Sequence, residues 1–283
     1  MAASLDIVVV SYNACADLEA CLASIRAAPP GRPHAIVVVD NASRDGSADA
    51  VAERWPDVQL IRNARNLGFA AANNVGIRAC SGALVLLLNS DTIVPAGALD
   101  RLVAALERHP HAAIAGPRLV DARGRPELSF GRALGPWNEF RQRALGTLYE
   151  REVAAVGRWV ARRVATEQWP DWVSGACLLV RRPDAEAVGL LDERYFMYGE
   201  DVDFCAAVRA RGRAVLFTPD AEIVHLRGRS RASAPEATRV AYRRSQLAFY
   251  AKHHPRWVAP LRLYLRLKGE LPPGSDEGPG AVA

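Results

Sequence analysis

The sequence predicts an α/β fold with a mostly parallel central sheet and helices on both faces. Two observations carry that prediction. Continuous apolar runs of strand length alternate with longer helix-forming segments, and unbroken apolar runs belong to strands covered on both sides. The runs also stop abruptly at small polar residues, as in "LVLLLNSDT" (84–92). Right-handed crossovers bring such strand ends to one edge of the sheet, where open α/β folds bind ligands.

In chain order, the strand "DIVVV" (6–10) precedes the helix "ADLEACLASIRAA" (16–28), and "AIVVV" (35–39) precedes the short helix "SADAVAERW" (47–55). "VQLI" (58–61) is followed by the helix "GFAAANNVGIRAC" (68–80) and the strand "ALVLLL" (83–88). The helix "GALDRLVAALERH" (97–109) leads into the strand "AAIAGPRLV" (112–120). Residues 130–164 are helical in places, basic and rich in aromatics. They read as an irregular helical insertion, a flap or membrane-facing element within 130–170. A second block comprises the strand 172–182, the helix 201–212 and the strand 214–219. The main domain is expected over 1–230, with a basic helical extension over 231–271 interrupted by Pro255 and Pro260. Leu261, Tyr264, Leu265 and Lys268 would share one face there. "PPGSDEGPGAVA" (272–283) reads as a disordered tail.

Composition narrows the class. Half of the 283 residues are hydrophobic, which is ample for a core and argues against wholesale disorder. The five cysteines form no CxxC pair, so neither a disulfide framework nor a zinc site is expected. The N-terminus runs straight into "LDIVVVSYN" without the regions of a signal peptide, and no apolar run nears the length of a membrane span. A cytoplasmic protein is expected, with a peripheral contact to the membrane's cytoplasmic face. That contact is suggested by residues 227–268, which hold eleven Lys or Arg and one acid, Glu236. Such a stretch suits an anionic lipid or a lipid phosphate, or is a solvated basic helix. No nucleic-acid partner is expected.

The strand ends share one pattern: Ser11-Tyr12-Asn13, Asp40-Asn41-Ala42-Ser43, Asn63 with Asn66, and Asn89-Ser90-Asp91. Each alone is a turn or a helix cap. Four on one edge make a polar pocket. No GxGxxG follows the first strand and no Walker A sequence occurs. A diphosphate would then be held through a divalent metal, Mg2+ or Mn2+, gripped by carboxylate and completed by phosphate oxygens. Asp91 is a candidate ligand and Asp40 a candidate partner of a base or ribose. In "YFMYGEDVDF" (195–204), Glu200, Asp201 and Asp203 sit at a helix start. They either cap the helix or supply a general base. The aromatics around Gly199, Tyr198 among them, form a platform for a ring. His225 is a structural histidine or a metal ligand.

"VVVSYN", "VVVDNASRDGS", "NLGFAAANNVGI", "LLLNSD", "GACLLVRR", "LDERYFMYGEDVDFCAAVRARG" and "HLRGRS" occur in this order. As a set they resemble a family 2 inverting glycosyltransferase of the GT-A fold, over roughly residues 5–230. The wording is most similar to bacterial rhamnosyltransferases that build cell-wall or O-antigen linkages on lipid carriers. The resemblance implies that Ser11, Tyr12, Asp40 and Asn41 hold the base and ribose, with Asn66 near the nucleotide. Asn89-Ser90-Asp91 matches the DXD motif, with Asp91 on the metal that bridges the donor diphosphate. Asp201 matches the catalytic base, with Glu200 beside it, and His225 a histidine near the metal. Gly175, Ala176 and Tyr198 fall on the acceptor side. The sequence departs from the stricter motif at Asn89, which leaves one carboxylate fewer.

The implied reaction is single displacement of a sugar from a nucleotide-diphosphate donor, dTDP-L-rhamnose on resemblance, to a saccharide or polyprenyl-diphosphate-linked acceptor. A UDP-hexose or UDP-N-acetylhexosamine is the alternative donor. A sugar nucleotidyltransferase would carry a Gly-rich basic loop after the first strand, and "SYNACADLEA" does not. A non-catalytic sugar-nucleotide binder would not need "GEDVD".

Overall fold

The structure, a computed structural model, describes residues 3–226 and 235–274. Strands β1 (Leu5–Ser11), β2 (His34–Asp40), β3 (Gln59–Arg62) and β4 (Leu84–Asn89) run parallel in the order β3-β2-β1-β4. They are joined by α1 (Cys15–Ala27), α2 (Ser47–Arg54) and α3 (Phe69–Ala79). Within β1, Leu5, Ile7 and Val9 enter one core with Leu18, Leu22 and Ile25 of α1. Val8 and Val10 enter the other with Ile77 of α3. Burial on both faces explains why β1 reads as an unbroken apolar run, and each such side chain contributes roughly 1.5–3 kcal/mol. Gly76 lets α3 approach the sheet, because a Cβ there would lie 2.3 Å from Val8 Cγ1.

The rest of the sheet is mixed. After β5 (Thr92–Ile93) and α4 (Ala98–Arg108), β6 (Ala112–Val120) leads to a small hairpin of β7 (Phe130–Gly131) with β8 (Trp172–Val173). The insertion between them holds α5 (Pro136–Glu150) and α6 (Ala154–Arg163). β9 (Cys177–Arg181) runs antiparallel between β4 and β6. It is followed by α7 (Arg182–Ala187), α8 (Glu200–Ala210) and β10 (Ala214–His225). The eight-stranded order is β3-β2-β1-β4-β9-β6-β10-β5.

Three expectations change in detail. The single strand over 172–182 is two strands, because Ser174–Gly175–Ala176 leaves the ladder between β8 and β9. The strand over 214–219 continues to His225 through a register shift between Thr218 and Glu222, at Pro219, which has no N–H to donate. Of the two prolines expected to interrupt the extension, only Pro255 does so. It follows α9 (Pro235–His253) and opens a 3-10 turn, Pro255–Trp257. Pro260 lies in the first turn of α10 (Val258–Leu267), where no helical N–H is required. Leu265 of α10 is buried, while Tyr264 stays more than a third exposed and the Lys268 ammonium lies over its ring. α9 packs Phe249 and Tyr250 against Tyr195 and Val202. No helix among the described residues is long and apolar enough to cross a membrane. The "RGRS" part of the "HLRGRS" motif and most of the tail lie outside the described residues.

Candidate active site

Sheet register brings the first polar strand ends together. Ser11 pairs with Asp40, and Val10 with Asn89. Ser11 and Asp40 are buried. Ser11 Oγ and Asp40 Oδ1 have no hydrogen-bond partner among the described residues. Buried polar atoms rarely go unpaired without a ligand or water. Asp40 Oδ2 accepts the Ser43 N–H at 3.1 Å, while Tyr12 stands half exposed at the rim. Asn13 and Ala42 hold positive φ of 51° and 66°, and for Ala42 that backbone is strained. The two loops are tied together where the Asn13 N–H donates to Ser43 Oγ at 2.9 Å and the Arg44 N–H to Asn13 Oδ1 at 2.7 Å.

Asn41 and Asn66, expected beside the nucleotide, bond to each other and to the 63–68 loop. Asn41 Nδ2 donates to Asn66 Oδ1 (2.8 Å) and Gly68 O (3.3 Å), and its Oδ1 accepts from Asn63 Nδ2 (3.1 Å) and the Leu67 N–H (3.0 Å). Asn66 Oδ1 also accepts the Gly68 N–H. These bonds use the whole capacity of Asn41. In this conformation it shapes the 63–68 loop. Gly68 closes that loop onto the next: its φ is +84°, and a Cβ there would lie 2.5 Å from Phe196 O.

Asn89, Ser90 and Asp91 form the turn between β4 and β5. Antiparallel pairing of β5 with β10 sets His225 opposite Thr92, so His225 Nε2 lies 3.4 Å from Asp91 Oδ1. His225 Nδ1 lies 3.2 Å from Oε2 of the buried Glu127. Burial alone would lower the imidazole pKa, but the two carboxylates outweigh it and raise it to about 9. Asn89 Oδ1 is buried without a partner among the described residues. No three His, Cys, Asp or Glu side chains among the described residues form a ready metal cage. Asp91 with His225 is instead a two-ligand set. It fits Mg2+ or Mn2+, which take few protein ligands when substrate phosphates complete the shell. Asn89 Oδ1 is a further oxygen in the turn.

The base candidate lies across the strand break. The Gly175 N–H donates to Asp201 Oδ2 at 2.9 Å, and the Val202 N–H to Oδ1 at 2.8 Å. Ala176 O accepts the Asn89 N–H at 2.9 Å. Two hydrogen bonds therefore join the Asp91 turn to Asp201 through Gly175 and Ala176. Glu200 is buried, and its Oε2 has no partner among the described residues. Burial, then the charge of Asp201, pushes the Glu200 pKa well above the usual carboxylate range. Burial also raises Asp201, against the N–H groups that hold its ionised form. Both shifts oppose ionising the two carboxyls together, and the N–H groups favour the ionised form of Asp201. Tyr198 and Gly199 have consecutive positive φ of 70° and 87°, a tight turn that presents the half-exposed Tyr198 ring above the helix start.

Sequence reasoning gave no role to Lys252, His253, Asn74 and Glu127, and read Asp203 as a helix cap or a candidate base. Asp203 is buried and accepts from Tyr195 Oη (3.2 Å), Lys252 Nζ (2.8 Å) and His253 Nε2 (2.6 Å). Lys252 and His253 of α9 thereby clamp the start of α8. Asn74 bonds Leu191 N and O and Glu193 Oε1, bolting the segment before the base to α3. A buried Asn in a small-residue helix was the available signal. Nothing local marked Glu127, the partner of His225.

Comparison with known proteins follows the same outline. The glycosyl transferase family 2 model matches residues 6–168. The chain is 33% identical to N-acetylglucosaminyl-diphospho-decaprenol L-rhamnosyltransferase of Mycobacterium tuberculosis, over 93% of this chain and 89% of that protein. It is 28% identical to the O-antigen biosynthesis protein RfbC of Myxococcus xanthus, over 89% of this chain and 19% of that protein. Among solved structures it is similar to the mannosyltransferase PcManGT of Pyrobaculum calidifontis in complex with GDP-Man and Mn2+. That match has a TM-score of 0.59 and 21% identity, over 93% of this chain and 70% of the other. The chain belongs to glycosyl transferase family 2 and has the GT-A fold.

Proposed function

We propose that the protein transfers L-rhamnose from dTDP-L-rhamnose, with inversion, to a saccharide carried on a polyprenyl diphosphate, for cell-envelope polysaccharide. The single observation that carries the chemistry is the link from the Asp91 turn through Ala176 and Gly175 to Asp201. It supports a donor-diphosphate site and a base close together on one sheet edge, as a single displacement needs. The donor and acceptor rest on the mycobacterial relative, whose name specifies rhamnose transfer to a decaprenyl-diphosphate-linked sugar.

Ser11 Oγ and Asp40 Oδ1 bind the base and ribose with their unused hydrogen-bonding capacity. Asn41 and Asn66 position the loop around the nucleotide. Asp91 and His225 would hold a divalent metal, Mn2+ or Mg2+, and Glu127 orients the His225 ring through Nδ1. That metal supplies positive charge against the departing diphosphate. Asp201 takes the proton from the acceptor hydroxyl as its oxygen attacks the anomeric carbon. The nucleoside diphosphate leaves from the opposite face through an oxocarbenium-like transition state. Glu200, kept neutral, adds no second negative charge beside the base. Gly175 and Ala176 form the wall along which the acceptor approaches, and Tyr198 stacks on its sugar. The chain works at the cytoplasmic face of the membrane as a peripheral protein.

The test is a donor panel with Mn2+, measuring thermal shift and then transfer to a polyprenyl-diphosphate-linked N-acetylglucosamine. dTDP-L-rhamnose is expected to stabilise the protein and to be consumed only with the acceptor. A shift with UDP-sugars alone would replace the donor with a UDP-hexose or UDP-N-acetylhexosamine. Asp91→Ala is expected to remove the metal-dependent part of the shift.

A further inference from the structure

The insertion between β7 and β8 encloses a cavity of about 700 Å³ beside the catalytic edge. Its wall carries Arg132, Arg141 and Arg163, with Phe130, Trp159 and Trp172. Of the other charges on that wall, all but the Glu150 carboxylate are matched among the described residues. Asp121 accepts the backbone N–H of Arg123 and Arg125, Arg125 pairs with Glu152, and Glu127 faces His225. The three arginines form no ion pair or side-chain hydrogen bond among the described residues. Arg163 lies over the rings of Phe130 and Trp159, at 5.2 and 5.4 Å. Burial, then the charges of Arg132 and Arg141, lowers its pKa. Three guanidinium groups share this wall with a single unpaired carboxylate among the described residues, Glu150, and a multivalent anion balances the excess positive charge with bidentate contacts.

The surroundings define which anion. Trp137 and Phe140 stack on the exposed side of α5. At helical spacing Trp137, Phe140, Arg141, Ala144 and Leu148 share one face. Arg141 therefore stands on the seam between the cavity and an exposed apolar stripe, of the kind that lies in a membrane interface. In the other direction the wall runs into the active site. Trp172 is three residues from Gly175, a strand length of about 10 Å, and Gly175 donates to the base.

The geometry points to this cavity as the receptor for a prenyl diphosphate, with Arg132, Arg141 and Arg163 on the phosphates and the aromatic rings against the first isoprene units. The inference rests on the lipid-linked acceptor proposed above and gives its diphosphate a place. The diphosphate lies outside the donor site, the sugar reaches past Trp172 to Asp201, and the chain leaves along Trp137 and Phe140.

Farnesyl diphosphate is a soluble probe, and chelator keeps the donor's metal site out of the measurement. Calorimetry on the full chain in EDTA is expected to show farnesyl diphosphate binding that dTDP does not displace, with inorganic pyrophosphate binding more weakly. Arg141→Gln and Arg163→Gln should each weaken it about tenfold or more, the loss of one charged hydrogen-bonded contact. Arg158→Gln, the same charge change away from the cavity, should leave it as in wild type. Displacement by dTDP, equal affinity for pyrophosphate, or equal loss in all three variants would overturn the site. In transfer assays the two cavity variants should raise the acceptor KM about tenfold with donor KM unchanged. If transfer to the lipid-linked acceptor proceeds with unchanged acceptor KM, the site falls and the acceptor reading stands. If the variants lose farnesyl diphosphate while wild type transfers to no diphosphate-linked acceptor, the prenyl diphosphate site stands and the acceptor reading falls.

Discussion

Asn41 and Asp203 are both buried, and neither touches the reacting atoms in the proposed mechanism, yet they hold their halves of the site differently. Asn41 is a neutral amide whose four bonds all reach residues 63–68, the next loop along the sheet edge. Asp203 is a carboxyl group whose partners Lys252 and His253 come from the C-terminal helix, 49 and 50 positions away. The proposed donor side is framed by consecutive strand–helix units, the proposed base by α9, which follows much later in the chain. Damage to one frame should therefore loosen the donor. Damage to the other should misplace the base.

Asp201→Asn gives the largest effect and fixes the baseline, because it removes the chemistry and leaves both frames intact. Turnover should fall about 10²–10⁴-fold, the range for general-base loss, with donor affinity within about threefold by calorimetry. In wild type the base must be ionised and its pKa is raised. The kcat/KM of wild type should therefore fall with decreasing pH through a pKa above the usual carboxylate range. Near-normal turnover in this variant would remove Asp201 from its role.

Asp203→Ala comes next. It leaves Lys252 and His253 facing an empty site, and breaking a buried ion pair from one side costs about 3–5 kcal/mol. Denaturant unfolding should register that loss. Turnover should fall at least about tenfold, on the scale of a misplaced reacting group, with donor affinity little changed. Equal loss of donor affinity would break the proposed division of the site.

Asn41→Ala should do the reverse. It leaves the Leu67 N–H and the Asn63 and Asn66 amides short of partners, at about 1–3 kcal/mol for each buried group left unsatisfied. Donor KM should rise about tenfold, while turnover at saturating donor stays within about threefold. A fall confined to turnover would instead join the 63–68 loop to the catalytic frame, through Gly68 and Phe196.

The smallest expected effect is on stability and concerns His225, which faces Asp91 and Glu127. Without metal its pKa is raised from 6.5 to about 9. A raised folded-state value gives stability that is complete below the unfolded pKa and lost as pH rises through the folded one. In chelator, thermal stability should therefore decline between pH 6.5 and 9, by on the order of 1–3 kcal/mol. His225→Gln should flatten that decline. A flat wild-type profile would show that Asp91 and Glu127 do not hold the imidazolium.

How much was legible follows from what made each feature. The strand ends could be read because β1, β2 and β4 are buried on both faces. Each therefore stands out as an apolar run, and the first polar residue marks the edge. The "GEDVD" segment could be read as a helix start with a candidate base. The break at Ser174–Ala176 could not, since "WVSGACLLVRR" has strand character throughout. Its departure from the ladder is fixed by bonds to Asp201 and Asn89, from elements distant in the chain. The 89–91 turn was half legible: Asp91 sits on a strand end, but β5 is two residues long and its pairing with β10 is a long-range choice.

By itself, then, the sequence determined the two-faced sheet and the polar strand ends along one edge, and supplied the residue types proposed to hold a diphosphate and take a proton. These follow from burial and local polarity, which act over a few residues. Tertiary structure alone decided that His225 meets Asp91 and Glu127, that Gly175 holds Asp201, that α9 clamps α8 through Asp203, and that three arginines share one cavity. Each depends on charges and hydrogen bonds between residues far apart in the chain, and such pairings leave no periodic trace in sequence because only the folded backbone brings them within reach.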